Sequence, residues 1–171
     1  MRIYLDACCL NRLTDDQNQP RVREEAGAVE RILKLVRDGT VQWISSDALG
    51  DEIDRNPDLE RKLGNVALLA FTSEIIEEND QIARRAEALH RLGCGLFDAL
   101  HLACAEAARV DVLLTTDGSF IRKCNGSRYS GRTGQIQPRR LCRGLSPLTE
   151  FSWNGPRRQG SATPRQTTAR P

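Results

Sequence analysis

The chain has 171 residues, 39% hydrophobic and 28% charged, which fits one soluble globular domain with a sizeable core. No apolar run approaches the roughly 20 residues of a membrane-spanning helix, and the N-terminus enters a strand with no signal-peptide pattern, so a cytoplasmic, non-membrane protein is expected. The formal net charge of +2 hides an asymmetry: residues 1–117 hold 14 Lys and Arg against 22 Asp and Glu, a net of −8, whereas residues 118–171 hold 11 against 1, a net of +10.

That split predicts an acidic catalytic body and a basic segment able to touch phosphate. In chain order, Arg2-Ile3-Tyr4-Leu5-Asp6 reads as a first strand. A short helical turn and a polar loop to Pro20 follow. Val22, Ala26, Val29, Ile32, Leu33 and Val36 then recur at spacings of three and four, one buried stripe of a helix that Gly39 stops. A second strand is expected from Thr40 to Ser45, and a helix from Ser46 or Asp47 to just before Pro57. Two further helices are read over Pro57–Leu69 and Ser73–Leu92. The Gly93–Gly95 stretch precedes a helix that carries Asp98 and runs to about Arg109. Val112–Thr116 is the next strand, and Gly118–Lys123 a short helix.

Strands alternating with long helices signal βαβ units and a mainly parallel sheet. The pattern dissolves from about Asn125 into Gly, Ser, Pro, Arg and Gln, with one island, Leu145–Phe151, read as a last edge strand and turn. Residues 1–151 are therefore assigned to one domain, and 152–171 to a basic, disordered tail.

Six cysteines show no Cys-x-x-Cys pair; Cys8 and Cys9 are adjacent and Cys104 falls on an apolar helix face. They read as small buried hydrophobes in a reducing compartment, with neither zinc nor disulfides.

Four acids carry the chemistry. Asp6 and Asp117 close strands, where ligands of parallel sheets bind. Asp98 opens a helix facing the same rim, and Glu52 lies on the helix after Trp43-Ile44-Ser45-Ser46. Carboxylates beside apolar residues are costly unless something positive faces them. No Lys or Arg is placed to serve all four, and Mg²⁺ or Mn²⁺, which prefer carboxylate oxygens and water, would do so. Each acid alone has an ordinary reading: strand end, helix cap, the Asp117-Gly118 turn, a solvated helix residue. Asn11, Thr115 and Thr116 are candidates for supporting hydrogen bonds. His101, three residues beyond Asp98 on the same helix side, reads more readily as a core residue than as part of the site.

The strand-end Asp6, the helical Glu52, the run DALHLACAEAARVDVLLTTD from Asp98 to Asp117 and the FIRK after it together resemble a PIN domain, over roughly residues 1–124. The opening YLDACCLNRLTDDQNQPR is also similar to one PIN subgroup. The resemblance implies a three-layer α/β/α sandwich and a metal-dependent ribonuclease whose four acids fall on Asp6, Glu52, Asp98 and Asp117. It also implies homodimers and, for VapC-type toxins, an antitoxin partner; residues Thr14–Arg23 and the helices over Pro57–Leu92 would offer it a groove. Such a site would lower the pKa of a water on Mg²⁺ or Mn²⁺ and stabilise the leaving oxygen at phosphorus. The segment NGSRYSGRTGQIQPRRLCRG departs from the family's final helix and strand, and reads either as an RNA-binding extension or as an end without function.

Three alternatives differ in mechanism. A phosphatase of the haloacid dehalogenase class would use Asp6 as nucleophile and a second Asp two residues on, where this chain has Cys8. A receiver domain would need a lysine at the end of a late strand, where Thr115-Thr116-Asp117 offers none. An inactive PIN-like or RNA-binding module would leave the four acids accidental.

Overall fold

The computed structural model describes residues 1–126. The island at Leu145–Phe151, the boundary at 151 and the tail lie outside the described residues. The elements run β1 (Arg2–Leu5), α1 (Ala7–Asn11), α2 (Pro20–Arg37), β2 (Gln42–Ser46), α3 (Asp47–Asp54), α4 (Leu59–Leu69), β3 (Glu74–Ile76), α5 (Asp80–Arg91), α6 (Leu96–Ala107), β4 (Val112–Leu114) and α7 (Gly118–Gly126).

The four strands form one parallel sheet in the order β3-β2-β1-β4. Strand β1 is central, with Ile3 beside Trp43 of β2 and Val112 of β4. Its Ile3, Tyr4 and Leu5 are all buried although successive side chains point to opposite faces. Both faces are therefore covered, as a three-layer α/β/α sandwich with a parallel sheet requires.

Helix α2 follows the sequence closely. Pro20 takes its first turn, the Val22–Val36 stripe faces the core, and Gly39 adopts φ +71°, a left-handed conformation that glycine takes without a Cβ penalty.

The single helix expected over Ser73–Leu92 is corrected: a strand precedes a shorter helix. Ser73 N–H donates to Trp43 C=O at 2.8 Å, and Glu74–Ile76 pair with Ile44–Ser46, giving the edge of β2 a partner. Asn79 then starts α5, its Oδ1 accepting from the N–H groups of Gln81 and Ile82 at 3.0 and 3.1 Å. Strand β4 also stops earlier than expected, at Leu114, releasing Thr115 and Thr116 from the ladder.

The expectation of unpaired cysteines is corrected too. The structure joins Cys94, in the turn before α6, to Cys124 on α7 through a disulfide, with Cα atoms 5.2 Å apart. Their 30-residue separation gives no local pattern to read. Among the described residues no helix is long and apolar enough to cross a membrane.

Candidate metal centre

Parallel strands all end at the same rim, and β1 and β4 are neighbours, so Asp6 and Thr115 emerge side by side. Asp6 N–H continues the ladder to Leu114 C=O at 2.9 Å. Asp6 then occupies the position before α1, yet its carboxylate makes no cap hydrogen bond to that helix. Instead Oδ2 accepts from the Thr115 hydroxyl at 2.7 Å and from the Cys8 thiol at 2.9 Å. Asp6 is buried, and its Oδ1 lies 3.8 Å from Nε2 of His101.

Glu52 arrives from the neighbouring strand. Helix α3 starts directly after β2, capped by Ser46 Oγ, which accepts from Leu49 N–H at 3.3 Å. One and a half turns later Glu52 Oε2 meets His101 Nε2 at 2.7 Å. One ligand atom each from Asp6, Glu52 and His101 lies within 4.8 Å of the others.

His101 is itself buried and held at its other nitrogen, where Tyr4 Oη is 2.8 Å from Nδ1. Tyr4 Oη is also 2.6 Å from Ser46 Oγ. Burial lowers the imidazole's proton affinity, but the hydrogen bond to Glu52 and the charges of Asp6, Glu52 and Asp98 outweigh it and hold its pKa above the ordinary value. The positive charge that the sequence appeared to lack is met in part by this histidine, the residue that sequence reasoning assigned to the core.

Asp98 sits in the first turn of α6. Its pKa is raised, first by burial and then by the charges of Asp6 and Asp117, with His101 and Lys123 partly offsetting them. Those mutual effects bring Asp98 into one electrostatic group with Asp6 and Asp117. Its carboxylate folds back over Gly95: a Cβ there would lie 2.5 Å from Asp98 Oδ2.

Asp117 is placed differently. Its Oδ1 accepts from Ser119 N–H at 2.7 Å and its Oδ2 from the Ser119 hydroxyl at 2.9 Å. Burial raises its pKa, but the Ser119 and Phe120 donors and Lys123 outweigh that and leave it below the ordinary value. Asp117 thus starts α7 and borders the cluster.

The three supporting candidates divide. Thr115 binds Asp6, as described. Thr116 binds the loop, its hydroxyl donating to Cys8 C=O at 3.2 Å and its N–H to Cys8 Sγ at 3.1 Å. Asn11 turns elsewhere: its Oδ1 accepts from the buried Asn65 at 2.8 Å. Asn11 does share with Glu52, Arg55, Asn65 and Phe97 the wall of a concavity of about 340 Å³. There the Arg55 guanidinium lies 5.1 Å from the centre of the Phe97 ring.

The donor set suits a divalent cation. Two carboxylates and an imidazole converge at a partly buried point, and two more carboxylates border it. Hard or borderline divalent ions accept such ligands.

No curated protein matches the sequence. A chain of the solved structure described as FitAcB from Neisseria gonorrhoeae is similar at 16% identity and a TM-score of 0.47, covering 72% of this chain and 93% of that one. The PIN domain family model matches residues 3–126. With the match reaching into all four strands and covering all four acids, the chain belongs to the PIN domain family.

Proposed function

We propose that the protein is a metal-dependent endoribonuclease, with Asp6, Glu52, Asp98 and Asp117 as the acids that hold Mg²⁺ or Mn²⁺. The observation that carries this reading is the convergence of the buried Asp6 and His101 with the half-exposed Glu52 within 4.8 Å at the carboxyl rim of a parallel sheet in a PIN domain. A divalent ion held there supplies charge for activating water and for stabilising the leaving oxygen.

The chain's own residues do the rest. Thr115 and Cys8 fix one oxygen of Asp6 and turn the other toward His101. Arg55 and Phe97 line the concavity beside Glu52, where a guanidinium and an aromatic face suit a phosphate and a base of single-stranded RNA. A toxin role with a protein partner is part of the proposal. Helix α4 supports it: Leu59, Leu63 and Val66 are exposed at helical spacing, with exposed Phe71 just beyond, while its buried residue is Asn65. An apolar stripe turned outward suits a second copy of the chain or an antitoxin helix.

Purified protein with Mn²⁺ is expected to cut single-stranded RNA. Asp6→Asn and Glu52→Gln should each lower cleavage by at least ~100-fold with melting behaviour close to wild type. RNA that stays intact with metal present, or is cut equally by both variants, defeats the reading; binding without cutting identifies an RNA-binding module.

A further inference from the structure

We propose that His101 is a direct metal ligand through Nε2, completing a site with Asp6 and Glu52 that favours Mn²⁺ over Mg²⁺. The inference rests on the metal-dependent reading above and deepens it, since four carboxylates alone would leave the histidine outside the coordination sphere.

Distance is the first support. Two ligands at ~2.1 Å from an ion lie roughly 3.0 Å apart on adjacent octahedral positions and roughly 4.2 Å apart on opposite ones. His101 Nε2 is 2.7 Å from Glu52 Oε2 and 3.8 Å from Asp6 Oδ1, so small side-chain adjustments open a site among the three.

The second support is the hydrogen-bond chain behind the ring. A carboxylate only accepts, so with no ion His101 Nε2–H donates to Glu52 and, in the neutral ring, Nδ1 accepts the Tyr4 hydroxyl proton. A ligating imidazole needs the reverse, a bare Nε2 and a proton on Nδ1. The tautomer change leaves the proton count of the ring unaltered. Nδ1–H then donates to Tyr4 Oη, the Tyr4 hydroxyl turns to donate to Ser46 Oγ, 2.6 Å away, and Ser46 turns its own proton to its hydrogen-bond partner Cys104. Both partners are hydroxyls, which can donate or accept, so neither tautomer strands a buried donor. A residue meant only to fill the core has no use for a reversible partner at its far nitrogen. A ligating histidine does, because its outer hydrogen bond fixes ring orientation and tautomer.

The third support is ligand chemistry. Imidazole contributes little to Mg²⁺ binding and more to first-row transition ions.

The test is pulsed electron paramagnetic resonance on the full chain with one equivalent of Mn²⁺. Nitrogen modulation from a directly bound imidazole is expected in wild type and should vanish in His101→Asn. By calorimetry, His101→Asn should weaken Mn²⁺ at least ~10-fold and Mg²⁺ less than ~3-fold. Tyr4→Phe should keep the nitrogen signal but weaken Mn²⁺ severalfold. Bound Mn²⁺ without nitrogen modulation in wild type, which does not depend on any variant folding, overturns the histidine assignment and leaves the carboxylate site standing. No Mn²⁺ or Mg²⁺ binding at all overturns both readings.

Discussion

Thr115 donates its hydroxyl to Asp6 Oδ2 at 2.7 Å, joining the ends of two adjacent strands that are 109 residues apart in sequence. Thr115 Oγ1 in turn accepts from Asp117 N–H at 3.0 Å, so one hydroxyl connects an acid of the cluster to the backbone that starts α7. Thr115→Val keeps the shape and removes both bonds. Metal affinity is expected to fall ~10-fold or more by titration calorimetry, since supporting hydrogen bonds of this kind are worth 10- to 100-fold. Thr115→Ser restores the hydroxyl and should recover most of the loss. Equal affinity in all three proteins would show that Asp6 needs no support.

Asp98 and Asp117 should respond in opposite ways to neutralisation. With four acids sharing one cleft, mutual repulsion would be expected to destabilise each of them. The structure relieves it at Asp117, where the Ser119 donors favour the charged form, and leaves it at Asp98, where burial and two neighbouring carboxylates disfavour that form. Without metal, Asp98→Asn is expected to raise the melting temperature by ~2–4 °C, the size of about 1 kcal/mol in a domain of this length. Asp117→Ala should lower it, because losing a helix-start acceptor costs ~0.5–2 kcal/mol. Differential scanning calorimetry in chelator reads both, and a fall for Asp98→Asn would remove the case for a strained acid cluster.

Gly95→Ala moves the same carboxylate without touching a charge. The new Cβ would sit 2.5 Å from Asp98 Oδ2, the far end of a side chain that can rotate. Gly95 is the N-cap of α6, where alanine is somewhat less favourable than glycine, so folding stability should fall by no more than about 1 kcal/mol. Metal affinity should fall severalfold as Asp98 leaves its place. An unchanged affinity with an unchanged melting curve would place Asp98 outside the metal's reach.

What the sequence made legible follows from how far each signal reaches along the chain. Asp6 and Asp117 stand out because a strand pattern ends on each, and parallel strands end at one rim. Helix α2 is written in a seven-residue buried stripe. Strand β3 is three residues long, its Ile75 and Ile76 lie between glutamates, and only pairing with β2 makes it a strand. His101 was legible as sharing a helix side with Asp98, but its bond to Glu52 spans 49 residues and its bond to Tyr4 spans 97. Nothing local marks such contacts. A histidine flanked by apolar residues on α6, in a chain with two histidines, was the signal available. Helix α4 buries Asn65 and packs Leu68 and Leu69 against the core while exposing Leu59, Leu63 and Val66, so apolar periodicity alone does not assign its faces.

Alkaline pH should weaken the fold through Cys104. Burial pushes this thiol from an ordinary value of 9.0 up to about 11, with a hydrogen bond from Ser46 opposing and the charges of Glu78 and Asp47 adding to the rise. The unfolded thiol ionises first, so the unfolded state binds fewer protons across that window and gains as pH rises. The stabilisation is complete below pH 9 and is lost as pH climbs toward about 11. Urea melts at increasing pH should show a declining midpoint, shallower in Cys104→Ala. Tyr4, raised well above its ordinary value mainly by burial, acts in the same direction, so the variant should flatten the decline only in part. A slope identical to wild type would exclude the thiol.

The basic C-terminal segment is expected to add RNA affinity without specificity. Residues 118–171 carry 11 basic residues against one acid, and truncation after Trp153 removes Arg157, Arg158, Arg165 and Arg170. Each phosphate neutralised on a single strand contributes ~0.7 to the slope of log affinity against log salt, so the truncation should lower that slope by up to about 3. Binding should weaken most in low salt and equally for unrelated RNA sequences, as phosphate contacts position a strand but do not read it. The acids lie far earlier in the chain, so Mn²⁺ affinity and the metal-induced rise in melting temperature should be preserved. Fluorescence anisotropy across a salt series measures the first effect and calorimetry the second. A truncated chain that loses metal affinity would make the segment part of the folded domain, and one with an unchanged salt slope would leave these arginines no role in RNA binding.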